Sequence, residues 1–187
     1  MGVMAVSSQM ISLGTPAPSF SLPGVDGTVL RLEDLAEAPV LLVSFLCNHC
    51  PYVRHIEVGL GKVIGVYADK GVAAVGICSN DIMSYPDDAP EALARQRSRA
   101  GWTFPYLVDE TQRVARAFGA ACTPDLFVYG PDRRLTYRGA FDASTPGNGM
   151  PVNGELLRGA LDATLAGEPV PEPHRPSMGC GIKWKGA

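Results

Sequence analysis

The stretch that constrains this chain most is Val40 to Leu46 (VLLVSFL), a near-continuous apolar and β-branched run that stops at Cys47-Asn48-His49-Cys50-Pro51. Such a run reads as a strand buried on both faces. Beyond Pro51 the period changes. Val53, Ile56, Leu60, Val63, Ile64 and Tyr67 recur at spacings of three and four, the apolar stripe of a helix, and Gly71 suits the residue that closes it. Val72 to Ile77 is a second buried run. Strand, helix, strand in this order is a βαβ crossover, so the two strands are expected to lie parallel in one sheet.

The remaining signals extend this α/β reading. Pro90 fits a first helical position, with helix over Glu91 to Ala100 ended by Gly101, and Phe104 to Val108 is a short strand. Asp109 and Gln112 resemble a capping box that opens a helix ending near Phe118-Gly119. Asp125 to Tyr129 and Leu135 to Arg138 flank Gly130-Pro131-Asp132-Arg133, the turn of an antiparallel hairpin. Ser144 to Val152 is a loop by composition. Asn153 can cap a last helix with Leu156, Leu157, Ala160, Leu161 and Leu165 on its apolar face and Gly167 beyond its end. Near the N-terminus, Phe20-Ser21-Leu22 and Val29 to Leu32 enclose Gly24 to Gly27 as a second hairpin. The expected architecture is one domain over residues 1–187, with a core at about 14–166 and a Pro-rich, mobile tail at 167–187.

Composition narrows the function classes. Sixteen basic against nineteen acidic residues leave a net charge of −3, which gives no electrostatic reason for binding nucleic acid or an anionic membrane. Met1 to Leu13 holds no Lys or Arg and no continuous apolar run, so it reads neither as a signal peptide nor as a span, and a cytoplasmic location is expected. Five cysteines, an odd number, argue against a disulfide-stapled secreted scaffold.

The chemistry concentrates between the first buried strand and its helix. With Pro51 at the first helical position, Cys50 stands at the N-cap, facing unsatisfied N–H groups and the positive end of the helix dipole. That setting lowers a thiol from its free value of about 8.5 and favours the thiolate, the form that attacks a disulfide or a peroxide. His49, Arg54 and His55 could add positive potential. Cys47 completes a Cys-x-x-Cys, whose spacing allows a disulfide at a strand-to-helix turn. Two other readings use the same residues: both thiols as small buried apolar groups, or Cys47, His49 and Cys50 as metal ligands, with Cys180 and His174 as the further donors. Cys78 ends a buried run and reads as core. Cys122 adjoins Thr123-Pro124. Cys180 is either an incidental thiol in the tail or folds back to resolve Cys50.

These residues resemble the thioredoxin-like superfamily, over roughly 14–166. The strand ending in Phe45, the Cys-x-x-Cys and the helix are similar to its active-site segment, and Thr123-Pro124 to the loop whose cis proline faces the cysteines and holds substrate backbone. Gly14-Thr15-Pro16-Ala17-Pro18-Ser19-Phe20-Ser21-Leu22, then Asp26-Gly27 and Leu32-Glu33-Asp34-Leu35, resemble the opening shared by the alkyl hydroperoxide reductase/thiol-specific antioxidant branch and cytochrome-maturation thioredoxins. The resemblance implies a central mixed sheet flanked by helices, an N-terminal hairpin and a helix-strand insertion between Ser84 and Val108. Counted from Phe45, it places the family's nucleophile on Cys50 and its second cysteine on Val53. It places the peroxiredoxin threonine on Cys47, that family's proline on Val43, and Thr123-Pro124-Asp125 where its arginine is expected.

The expected activity is thiol–disulfide oxidoreduction without a cofactor: Cys50 attacks, Cys47 resolves, Thr123 and Pro124 position the substrate, and Cys180 is a further candidate resolving thiol. The expected partners are protein or small-molecule disulfides and a reducing thiol donor. A thiol-dependent peroxidase and a metal-binding module are the alternatives.

Overall fold

A computed structural model describes residues 4–186. In chain order the elements are β1 (Ala5–Ser7), β2 (Ser21–Pro23), β3 (Val29–Arg31), β4 (Val40–Phe45), α1 (Pro51–Ala68), β5 (Val72–Cys78), α2 (Pro90–Arg99) and β6 (Tyr106–Val108). They continue with α3 (Arg113–Phe118), β7 (Cys122–Thr123), β8 (Asp125–Tyr129), β9 (Leu135–Gly139), α4 (Glu155–Leu165) and β10 (Met178–Gly181). The main sheet has the order β6-β5-β4-β8-β9. β4 is parallel to β5, pairing Val40 with Val72 and Phe45 with Ile77, and antiparallel to β8, pairing Phe45 with Asp125. The sheet is therefore mixed, and the βαβ crossover is where the apolar runs predict it.

β4 is central and wholly buried, which explains its lack of alternation. Leu42 and Leu46 face Val53, Ile56 and Leu60 of α1 and Leu157 and Leu161 of α4 in one core layer. Leu41, Val43 and Phe45 face the other way, into a layer with Phe118, Phe127 and Tyr129. There the Phe45 ring lies 5.6 Å from Phe118 and 5.8 Å from Phe127. Each fully buried Leu, Ile, Val or Phe contributes about 1.5–3 kcal/mol. The two layers clamp β4 and fix the point where the chain leaves it for α1.

Three element boundaries differ from the sequence reading. α1 ends at Ala68, and Gly71 closes the following turn in the left-handed region. Asp109 is not the cap of α3: Gln112 holds that place, and the buried Asp109 carboxylate accepts bonds from the Ala115 N–H and the Ser79 hydroxyl. At α4 the cap is Gly154, and Asn153 Oδ1 accepts the Glu155 N–H from one residue further out.

The larger correction is the tail. Residues 178–181 form β10, inserted between β1 and β7 in a second sheet of order β1-β10-β7. Cys180 pairs with Ala5 on one side and Thr123 on the other. The sequence Met178-Gly179-Cys180-Gly181 has no β-branched residue and no alternation, and its partners lie far away in the chain, so local pattern does not announce it. No helix among the described residues is long and apolar enough to cross a membrane.

Candidate active site

Three segments far apart in sequence meet at the N-terminus of α1. The first is the turn from β4 to α1, with Cys50 in an extended conformation at the N-cap and Pro51 at the first helical position. The second is the Thr123-Pro124 bond, which is cis. The third is β10. Cys50 Sγ lies 2.7 Å from Cys180 Sγ and 3.2 Å from the Thr123 carbonyl oxygen. Cys47 Sγ lies 3.2 Å from Thr123 Oγ1. All three sulfurs are buried, and Cys50 has 0% exposure.

The Cys50 thiol is lowered to about 5, chiefly by the hydrogen bond from the Cys47 thiol. Burial opposes this, while the Cys180 thiol and the Val53 and Cys180 N–H groups add to the lowering. Cys47 Sγ and Thr123 Oγ1 share a hydrogen bond in which either can donate. Cys47 is pushed well above the ordinary thiol value, first by its bond to Cys50 and then by burial. Cys180 is pushed up to about 12 by burial and by its bond to Cys50. The shifts favour the thiolate at Cys50 and the protonated thiol at Cys47 and Cys180. Burial and the Thr123 carbonyl, 3.2 Å away, favour the protonated form of Cys50.

The turn that carries Cys47 and Cys50 is held from several sides. Gln96 Nε2 donates to the Cys47 carbonyl at 2.8 Å, and Tyr106 donates to Gln96 Oε1. The Asn48 N–H donates to the fully buried Asp88 carboxylate at 2.7 Å, whose second oxygen takes the Asn80 amide and His49 Nδ1, also at 2.7 Å. That bond to Asp88 raises the His49 imidazole, which stacks on Tyr85. Burial alone would raise the Asp88 carboxyl, but the bonds from His49, Asn80 and the Asn48 N–H outweigh it and hold it low. His49 is therefore a candidate cation beside Cys50. Arg54 is not one of the thiol's partners: its Nε donates to the Asn48 carbonyl at 2.8 Å and clamps the turn. His55 likewise turns away, to Ser144 Oγ at 3.1 Å.

The metal-ligand set also differs from expectation. Among the described residues, Cys47 Sγ, His49 Nδ1 and an Asp88 oxygen lie within 4.8 Å of one another, donor types that suit Zn²⁺. Asp88 already accepts the Asn48 N–H and the Asn80 amide and lies 2.7 Å from His49 Nδ1, so a cation there would compete with the His49–Asp88 pair. His174 does not join this group; Arg138 Nη1 bonds its Nδ1 at 2.8 Å.

Asp88, Gln96 and Asp125 are the residues sequence reasoning missed. Asp88 sits in Tyr85-Pro86-Asp87-Asp88-Ala89-Pro90, which reads as a helix start and carries no local sign of a buried ligand. Asp125 is fully buried; one oxygen accepts the Ala121 N–H, the other has no partner, and burial pushes its carboxyl up to about 7. It stands where the peroxiredoxin resemblance leads one to expect an arginine. The one signal for it was its place beside Thr123-Pro124.

Comparison with known proteins fits this geometry. The solved structure of an uncharacterised conserved protein from Geobacillus kaustophilus matches with a TM-score of 0.96 at 49% identity, over all of both chains. A candidate peroxiredoxin from Mycobacterium tuberculosis is 31% identical over 107 residues, 57% of this chain and 63% of the relative. The thiol-disulfide oxidoreductase ResA of Halalkalibacterium halodurans is 26% identical over 112 residues, 59% of this chain and 58% of the relative. The matched part thus spans less than two thirds of these curated relatives. The architecture is the thioredoxin-like fold of solved disulfide oxidoreductases. Residues 13–138 match the AhpC/TSA family, and the chain belongs to that family.

Proposed function

We propose that this protein is a thiol–disulfide oxidoreductase in which Cys50 is the attacking thiolate and Cys180 the resolving thiol. The observation that carries the reading is the Cys50 sulfur at the N-terminus of α1, lowered to about 5, with Cys180 Sγ 2.7 Å away. Cys50 attacks a substrate disulfide; that S–S bond breaks, and the departing sulfur leaves as a thiol after taking a proton. Cys180 then loses its proton and attacks Cys50 Sγ, releasing the second substrate thiol. Two electrons pass from the Cys50–Cys180 pair to the substrate, and a reducing thiol donor restores the pair. Thr123 and Pro124 line the approach. The odd number of cysteines favours a reducing compartment such as the cytoplasm.

Reduction of a small aromatic disulfide, followed with dithiothreitol as donor, tests this. Cys50→Ser is expected to bring the rate down to that of dithiothreitol alone. Full activity in that variant would refute the reading.

A thiol peroxidase is the second reading, supported by the family and by a partner thiol placed to resolve a Cys50 sulfenate. The buried Asp125 at the place of the expected arginine weakens it. Stopped-flow peroxide consumption by Cys50 is expected to be no faster than by a free thiol of the same pKa.

A further inference from the structure

β7 is two residues long, and its edge at Cys122–Thr123 is covered by β10, which pairs antiparallel with Cys180 opposite Thr123 and Gly181 opposite Cys122. A free strand edge of this kind accepts an extended chain through main-chain bonds. Here the added strand delivers its own cysteine directly to Cys50, which is wholly buried. The residue before that cysteine is under a severe constraint. A Cβ on Gly179 would stand 1.9 Å from the Thr123 carbonyl oxygen and 2.6 Å from its carbon. The clash is with backbone on both sides, so no rotamer relieves it. Any strand that approaches Cys50 along this edge needs glycine immediately before its cysteine.

We propose that β10 is a tethered substrate strand: it occupies a docking edge shaped for an extended Gly-Cys segment, and outside disulfides of that type reach Cys50 by displacing it. The inference rests on Cys50 being the attacking thiolate and adds the substrate class and the route of entry. The anchors of β10 lie at its flanks. The Ser177 N–H donates to Ser8 Oγ at 3.0 Å, and the Ser177 hydroxyl bonds the Gly139 carbonyl. On the other side the Lys183 N–H donates to Asn80 Oδ1, and its carbonyl accepts from Gln112 Nε2, both at 2.8 Å. Between the anchors the strand offers two glycines, a half-exposed Met178 and two buried side chains, Cys180 and Ile182, so its release withdraws only those two from the core. When an incoming Gly-Cys disulfide takes the edge, Cys50 attacks its cysteine sulfur and the other half leaves as a thiol. β10 then re-docks, and Cys180, after losing its proton, attacks Cys50 Sγ and expels the peptide as its thiol. Re-docking and resolution are the same movement, and an external dithiol reduces the resulting Cys50–Cys180 disulfide.

The test uses the full-length Cys180→Ser protein, which traps the mixed disulfide, with peptides whose cysteine is activated as a thionitrobenzoate disulfide. A Gly-Cys peptide is expected to label Cys50 about tenfold or more faster than the same peptide with Ala-Cys. The small disulfide of cysteine and thionitrobenzoate serves as control. Equal rates for the two peptides, with the small probe reacting normally, would overturn the docking rule and leave the oxidoreductase reading intact. A small probe that never labels Cys50 would overturn both. Hydrogen exchange on the unaltered reduced protein gives a second check: amides at 179–182 are expected to exchange faster than those of β4, and to slow once Cys50–Cys180 forms. Exchange as slow as that of β4 in the reduced protein would contradict displacement of the strand.

Discussion

The turn before α1 and the C-terminal strand each bring one thiol to Cys50, and they do so by different means. Cys47 belongs to the core: Gln96 holds its carbonyl, its sulfur shares a hydrogen bond with the Thr123 hydroxyl, and its neighbours Asn48 and His49 are tied to Asp88. Cys180 sits on a strand of two glycines, one cysteine and a half-exposed methionine, held by backbone pairing to β1 and β7 and by side-chain bonds at its ends. A thiol fixed in the core is suited to tuning charge. A thiol on a removable strand is suited to forming and releasing a bond. On the proposed function, this difference gives Cys47 the part of lowering the Cys50 pKa and Cys180 that of resolving the mixed disulfide.

The largest effect that would break this division is on turnover. With Cys180→Ser, catalytic cycles are expected to stop after one event, leaving Cys50 as a mixed disulfide with substrate, visible by intact mass. Cys47→Ser is expected to keep cycling under the same conditions. The reverse pattern would exchange the two roles.

A smaller effect sharpens the tuning role. Alkylation of Cys50 by iodoacetamide follows its thiolate, so its rate is expected to stay flat from pH 8 to pH 6 and to halve near the value of about 5. Losing a hydrogen bond to a charged group costs about 1.5–3 kcal/mol, or about one to two pKa units. Cys47→Ala should therefore move the midpoint up by that amount. Thr123→Val, which removes only the hydroxyl partner of Cys47, should move it by less than one unit. An unmoved midpoint in Cys47→Ala would remove Cys47 from the charge network.

The smallest effect concerns stability alone. Burial raises the Asp125 carboxyl to about 7, above the ~3.9 of an unfolded aspartate. A raised folded-state value means that its contribution is complete below pH 4 and is lost as pH rises towards 7. Asp125→Asn removes that slope. Its melting temperature, relative to the unaltered protein, should rise between pH 4 and pH 7 and level off above. A parallel pair of curves would show that Asp125 is ionised in the folded protein.

How much of this the sequence carried differs between the same two regions. The βαβ unit around Cys50 is legible because β4 and β5 are apolar on both faces, α1 has a clean stripe, and Pro51 marks the first turn. The N-cap place of Cys50 follows from that local pattern; the lowering of its thiol comes chiefly from Cys47, with Cys180 adding to it. β10 is not legible: its glycines signal a loop, and the reason for Gly179 is a close approach to Thr123, more than fifty positions earlier in the chain. Asp88 is hidden for the same kind of reason, since its partners Asn48, His49 and Asn80 come from two other segments. The shifted Cys-x-x-Cys invited a pairing of Cys47 with Cys50. The structure instead turns the Cys47 sulfur towards the Thr123 hydroxyl and sets the Cys180 sulfur at 2.7 Å from Cys50.

Peptide mapping by mass spectrometry after one equivalent of oxidant tests the central assignment most directly. The account predicts a single Cys50–Cys180 disulfide that dithiothreitol reverses, with Cys47 alkylated as a free thiol. A Cys47–Cys50 disulfide with Cys180 free would contradict it.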